Sequence, residues 1–150
     1  MIAKQKWWIS MSVAVLAALA MITGKTALSQ DEPGASEQHE PGTYTVDGDN
    51  VDEATFRGYE AYGRACAACH GPDGVGSSFA PSLIQAAERR TFEEFQTTVV
   101  EGQQLQPGMV MPSFADDQYV MEHVGEIYSY MKARAEGGLG RGRPGIIEED

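Results

Sequence analysis

Cys66-Ala67-Ala68-Cys69-His70 restricts this chain more than any other feature. Its two cysteines are the only ones in 150 residues, and a histidine follows the second directly. At that spacing two thiols reach the two vinyl groups of a haem, and the next residue offers imidazole to the iron. Two other uses of the pair fit less well. A thioredoxin-like redox pair needs a strand–helix context, which the pattern around Cys66 does not supply. A zinc site needs a second Cys or His pair at ligand spacing, and His39 and His123 lie far away in sequence. The motif therefore predicts one covalent haem c, held through Cys66 and Cys69, with His70 as an iron ligand.

Residues 1–29 read as a secretory signal. Lys4 and Lys6 make a short basic start, an apolar run extends from Trp7 to Ile22, and Ala27-Leu28-Ser29 presents small residues before a cut at Gln30. The alternative is an uncleaved anchor, because the run is near the lower limit for spanning a bilayer. Both readings put the functional part outside the cytoplasm. Covalent haem attachment suits that address, where free thiols risk oxidation to a disulfide.

Losing residues 1–29 removes three of the eleven basic residues and no acidic one, leaving eight against 22 and a charge of −14. That sign excludes nucleic acid as a partner. It allows steering toward a basic patch on a protein partner. About 120 remaining residues make one small domain, with the haem forming much of its core.

Residues 30–50 are acidic and rich in Gly and Pro, so a flexible lead-in is expected, with Tyr44-Thr45-Val46 as a short extended piece ending at Asp47-Gly48. A first helix is expected from Asp52 to Cys66, capped by Asp52, with Phe56, Tyr59 and Tyr62 at helical intervals. Gly58 inside it costs roughly 1 kcal/mol against alanine, which close approach of another helix would justify. The glycine-rich turn Gly71 to Gly76 lacks the lysine and following helix of a phosphate loop. Thr91 and Glu94 form a capping box for a second helix ending near Gly102. Gln103 to Pro112 shows no periodicity and reads as a loop over one haem face. A last helix is expected from Asp116 to Ala135, capped by Asp116 or Asp117, with Val120, Val124, Ile127 and Met131 as its apolar stripe. It should cross the first helix near Gly58. His123 is expected to face solvent. Residues 136–150 read as a surface tail without regular structure.

Two further positions complete the expected site. A ligating imidazole donates its far N–H to a carbonyl or carboxylate, and the Pro81 carbonyl is the candidate acceptor for His70. Thioether is a soft ligand that favours Fe(II). Met111 is the first candidate for the sixth position, because Pro112 biases it to extended backbone. Met109 competes from two residues earlier. Met121 and Met131 lie on the last helix, where methionine is more often core.

Gly58-x-x-x-Tyr62-x-x-x-Cys66-x-x-Cys69-His70, then Pro81, then Met111-Pro112, resembles the pattern of small class I cytochromes c over residues 51–135. Val51 to Tyr59, His70 to Gly74, Met111 to Phe114, Ile127 to Ala135 and Gly140 to Pro144 are similar to a narrower group, the cytochrome c-L-like proteins of methanol metabolism. The resemblance implies an all-α class I fold, with helices packed around one attached haem. It implies an electron carrier rather than an enzyme. The donor would be a PQQ-dependent alcohol dehydrogenase in the periplasm, and the acceptor a downstream cytochrome or oxidase. Two alternatives are a haem c module of a larger membrane oxidase or dehydrogenase complex, and a sensor or enzyme with an open sixth position. Lys132, Arg134, Arg141 and Arg143 hold half of the remaining positive charge; they either dock a partner or neutralise neighbouring carboxylates.

Overall fold

Asp52 sets the start of the first helix. In the computed structural model, which describes residues 39–148, its carboxylate accepts from Thr55 N at 2.9 Å and from Thr55 Oγ1 at 2.8 Å. Helix α1 then runs Glu53–Ala65. A third bond, from Thr45 N at 2.6 Å, ties the cap to the preceding chain. Burial pushes the Asp52 carboxyl up, but the bonds from Thr55 and Thr45 outweigh it and hold it below the usual carboxylate range. A depressed folded value contributes stability above the unfolded-state pKa, and that stability is lost as pH falls through the folded one. Asp52→Ala is expected to cost about 1–2 kcal/mol at pH 7. Denaturant titrations should show the gap to the parent closing on acidification.

The last helix, α5, spans Gln118–Ala135, and of the two expected caps Asp117 is the one used, accepting from Val120 N at 3.1 Å. It crosses α1 at Gly58, as the glycine suggested. A Cβ added there would lie 2.0 Å from Glu126 O. Backbone meets backbone at the crossing, and Arg57 Nε closes it with a 2.8 Å bond to Glu126 Oε1. Val120, Val124, Ile127 and Met131 pack with Tyr62 and Phe95 in the core. His123 is half-buried rather than solvent-facing, stacked on Tyr119 with ring centroids 4.4 Å apart.

Two more helices complete the shell. The capping box forms as expected: Thr91 and Glu94 bond reciprocally and open α4, Phe92–Glu101. A seven-residue helix, α3 (Leu83–Arg89), has no counterpart in the sequence expectation. It spans two turns and buries only Leu83 and Ala87, too short a stripe for periodicity to mark. Ser82 caps it, accepting from Gln85 N at 3.3 Å.

Three further expectations need correction. The loop from Gln103 to Pro112 contains an antiparallel hairpin, β3 (Gln103–Gln106) with β4 (Met109–Met111). Pro107-Gly108 turns it, with Gly108 at φ +85°, and a Pro-Gly turn needs no hydrophobic alternation to form. The lead-in is built into the domain from His39 onward: β1 (Val46–Asp47) pairs with β2 (Asn50–Val51), and His39 Nε2 lies 2.7 Å from Ser129 Oγ. The tail is also structured. Its strand β5 (Gly145–Ile146) lies parallel to β2, and Leu139 is buried.

The tail's cations are engaged within the chain, which favours neutralisation over docking. Arg141 Nε meets Asp73 Oδ2 at 3.2 Å, and Arg143 lies over the Phe56 ring and 3.5 Å from Glu60. Lys132 pairs with Glu136, and buried Arg134 donates to Gly140 O. No helix among the described residues is long and apolar enough to cross a membrane. The expected signal, its cut at Gln30 and the acidic stretch up to residue 38 lie outside the described residues.

Candidate haem site

The end of α1 carries the motif. Cys66 N donates to Tyr62 O at 2.9 Å, so the helical ladder continues past Ala65. A short helix, α2 (Ala67–His70), follows at once, with His70 N donating to Cys66 O at 2.9 Å. Both thiols and the imidazole therefore stand within one rigid turn. Gly71 ends it at φ +76° and ψ 167°.

His70 is 6% exposed. Its Nδ1 lies 2.8 Å from Pro81 O, the acceptor named from the sequence. A carbonyl only accepts, so Nδ1 carries the proton and the Nε2 lone pair is free for a metal. Gly76 N also donates to His70 O at 2.7 Å. Burial, and then the nearby Cys69, pushes the Cys66 thiol up to about 12. The pair follows directly on the helix α1 rather than opening a helix after a strand, so the strand–helix context of a thioredoxin-like pair is not what surrounds it. Among the described residues no cluster of three His, Cys, Asp or Glu side chains is placed to hold a metal ion.

Tyr62 holds the turn after the motif, a role the sequence did not announce beyond its helical spacing. Its hydroxyl donates to Gly71 O and accepts from Gly74 N at 3.0 Å, all in the interior. Burial pushes the phenol up to about 12, keeping it protonated as the donor. Tyr62→Phe leaves a buried carbonyl and a buried N–H without partners. We expect a loss of about 1–3 kcal/mol, read from guanidinium unfolding.

These elements face a cavity of about 330 Å³. Cys66, Cys69 and His70 line it on one side, and Met109 and Met111 line it from the hairpin. Residues two apart on a strand point the same way, so both methionines face the cavity while Val110 between them is 62% exposed. Met111 is the better held. Phe114 N donates to Val99 O at 3.0 Å, and a Cβ on Gly102 would lie 2.6 Å from Met111 O. The strand after Met111 is thus pressed onto the end of α4. Met109 sits beside the Pro107-Gly108 turn. Leu83, Phe95, Val99 and Ile127 supply apolar walls. A flat apolar macrocycle fits such walls, and the volume falls within the usual range for cofactor pockets, roughly 300–1,000 Å³. Arg90 is the only Lys, Arg, Asp or Glu among the lining residues.

Helices closing on an apolar cavity, with both of the chain's thiols and a carbonyl-tethered imidazole in its wall, define the class: a c-type cytochrome of class I architecture. Comparison with known proteins agrees. A family model described as cytochrome c oxidase, cbb3-type, subunit III matches residues 53–131. Cytochrome c-553I of Paracoccus denitrificans is 39% identical over 102 residues, covering 66% of this chain and 45% of that protein. The chain thus spans less than half the length of that relative. Cytochrome c-555 of Methylococcus capsulatus is 32% identical over 88 residues, 58% of this chain and 68% of that one. The crystal structure of the c-type cytochrome XoxG from Methylobacterium extorquens AM1 superposes with a TM-score of 0.66 at 40% identity, covering 75% of this chain and 77% of the other.

The chain belongs to this cytochrome c family. Like its relatives it carries covalently bound haem c, and the all-α class I expectation holds. Its relatives are cytochromes c, which are electron carriers.

Proposed function

We propose that this protein is a periplasmic mono-haem electron carrier that accepts electrons, one at a time, from a PQQ-dependent methanol or alcohol dehydrogenase and passes them to a downstream cytochrome or oxidase. Cys66 and Cys69 would attach the haem, and His70, oriented by Pro81, together with Met111 would hold its iron. The observation that carries the reading is the 2.8 Å bond from His70 Nδ1 to Pro81 O beside two cavity-lining thiols. When bound, the haem supplies a one-electron Fe(III)/Fe(II) couple. The chain's own part is to hold the imidazole in one tautomer, keep water from the metal with apolar walls, and offer a thioether that favours Fe(II). The likeness to the c-type cytochrome XoxG supports the carrier role, and the resemblance of Val51 to Tyr59 and Ile127 to Ala135 to the methanol-metabolism group supports the donor.

The direct test mixes purified ferric protein with quinoprotein dehydrogenases plus alcohol and follows reduction in the visible spectrum. No reduction by any of them would remove the donor assignment. The ligand assignment has its own test. Met111→Ala is expected to abolish the near-infrared Met–Fe(III) band and open the ferrous protein to CO, while Met109→Ala keeps the band. The reverse pattern would move the ligand to Met109.

One observation favours a second reading. The matching family model describes an oxidase subunit, which fits a haem module of a membrane complex. Intact mass of protein from its native host separates the two: retention of residues 1–29 would support the complex, and their loss the free carrier.

A further inference from the structure

Asp73 is the residue the haem reading leaves unexplained. It lies in the turn after the motif, and among the described residues it alone combines a side chain with a positive φ, +61°. That backbone strains a residue carrying a Cβ and leaves glycine unstrained. Glycine stands at 71, 74 and 76 of the same turn, yet position 73 keeps a carboxylate. The carboxylate is 11% exposed, and both its oxygens hold the C-terminal tail. Arg141 Nε donates to Oδ2 at 3.2 Å, and Gly142 N donates to Oδ1 at 3.1 Å. The tail is fixed on either side of this clasp. Before it, Leu139 is buried and its N–H donates to Ala133 O at 3.1 Å. After it, Arg143 lies over Phe56 and Tyr59 of α1, and Ile147 N donates to Val51 O at 2.9 Å. Residues 139–147 form a strap from the end of α5, past the turn, to β2.

The other side of the turn bears on His70. Gly76 N donates to His70 O, and Ser82 Oγ donates to Gly74 O at 3.1 Å. A Cβ added at Gly76 would lie 2.8 Å from Ser82 N and 3.1 Å from Pro81 C. The turn is thus packed against the peptide whose carbonyl receives His70 Nδ1. We propose that Asp73 is a positioning residue for the axial imidazole: it ties the C-terminal strap to the turn, and the turn so braced holds Pro81 O against His70 Nδ1. The inference rests on the haem reading above. It makes the strap part of the haem site, although none of residues 139–147 lines the cavity. The redox sense follows from the bond. Donation from Nδ1–H to a carbonyl makes the imidazole a stronger donor, which favours Fe(III). Loosening the brace weakens that bond and shifts the couple toward Fe(II).

The test compares Arg141→Gln, Arg141→Lys, Asp73→Gly and Glu53→Gln in the haem-loaded full chain, with haem content checked first by intact mass. The Arg141 side chain is 70% exposed, so its replacement does not threaten folding. Exposed Glu53, at the far end of α1, controls for loss of a surface charge. Two quantities are read at neutral pH: solvent exchange of the His70 Nδ1–H in the ferrous protein by NMR, referenced to core amides of α5, and the Fe(III)/Fe(II) ratio at a fixed applied potential. Arg141→Gln is expected to speed ring N–H exchange several-fold against unchanged core amides and to shift the ratio toward Fe(II). Loss of a cation through charge alone does the reverse, since a nearby positive charge opposes Fe(III). Arg141→Lys should restore part of both readouts. Asp73→Gly relieves the backbone strain, so a residue that only shaped the turn would leave exchange unchanged or slower; the brace predicts faster exchange. Glu53→Gln should leave exchange unchanged. Unchanged exchange in Arg141→Gln, or a shift of its ratio toward Fe(III), would overturn the proposal while leaving the carrier reading intact. A parent protein without the mass of a haem would instead overturn the haem reading itself.

Discussion

Replacing Cys66 and Cys69 together by serine yields a chain with the mass of its amino acids alone and no Soret absorbance, even in cells with working haem-attachment machinery. The effect on stability is expected to be as large as the effect on colour. The cavity bounded by the motif and the hairpin measures about 330 Å³. Left dry, a void of that size costs on the order of 8 kcal/mol, from about 24 cal/mol per Å³. A small domain has a total stability of roughly 5–15 kcal/mol. Water entry softens the cost, but it exposes Leu83, Phe95, Val99 and Ile127, which are otherwise buried walls. The double variant should therefore show reduced helical circular dichroism and rapid proteolysis. A serine variant that still weighs as a haem protein would remove the attachment assignment outright.

The second large effect is expected at the helix crossing. Gly58→Ala should lower the thermal midpoint by roughly 5–10 °C, equivalent to about 2 kcal/mol net. Two terms compete. Alanine gains about 1 kcal/mol of helix propensity over glycine. Against that, the new methyl would lie 2.0 Å from Glu126 O and 2.4 Å from Glu126 C, so a backbone rather than a flexible side chain has to move. Strain of that kind wins over propensity. Gly63 provides the opposite case in the same helix, since an added Cβ there meets nothing within 4 Å. Gly63→Ala should raise the midpoint by the propensity gain alone. If both substitutions were stabilising, the close crossing of α1 and α5 would be wrong.

The two glycines also show how far local sequence information reaches. Both stand in one helix and look alike in the sequence, yet one touches α5 and the other faces open space. The Gly58, Tyr62, Cys66 spacing pointed to the right one because it shares a face with the motif. Nothing local marked Arg90 as the one Lys, Arg, Asp or Glu on the cavity lining, because that depends on residues from several elements closing around the same space. The methionines make the same point from the other direction. Pro112 suggested an extended backbone, and β4 is extended, but an extended backbone puts Met109 and Met111 on one side together. What separates them is Gly102, where residues 111–113 press onto the end of α4.

Chain identity alone was sufficient for the chemistry of attachment, for the caps at Asp52 and Thr91, for Gly58 as the crossing point, and for the Pro81 acceptor of His70. Each depends on residue types at short, countable separations, where helix and turn geometry leave few choices. The tertiary structure alone decided that the tail returns as a strand beside residues 50–51, that Gln103 to Met111 fold as a hairpin, and that one arginine faces an otherwise uncharged cavity. Those outcomes join residues dozens of positions apart. Their free energy comes from packing and pairing that no local pattern encodes.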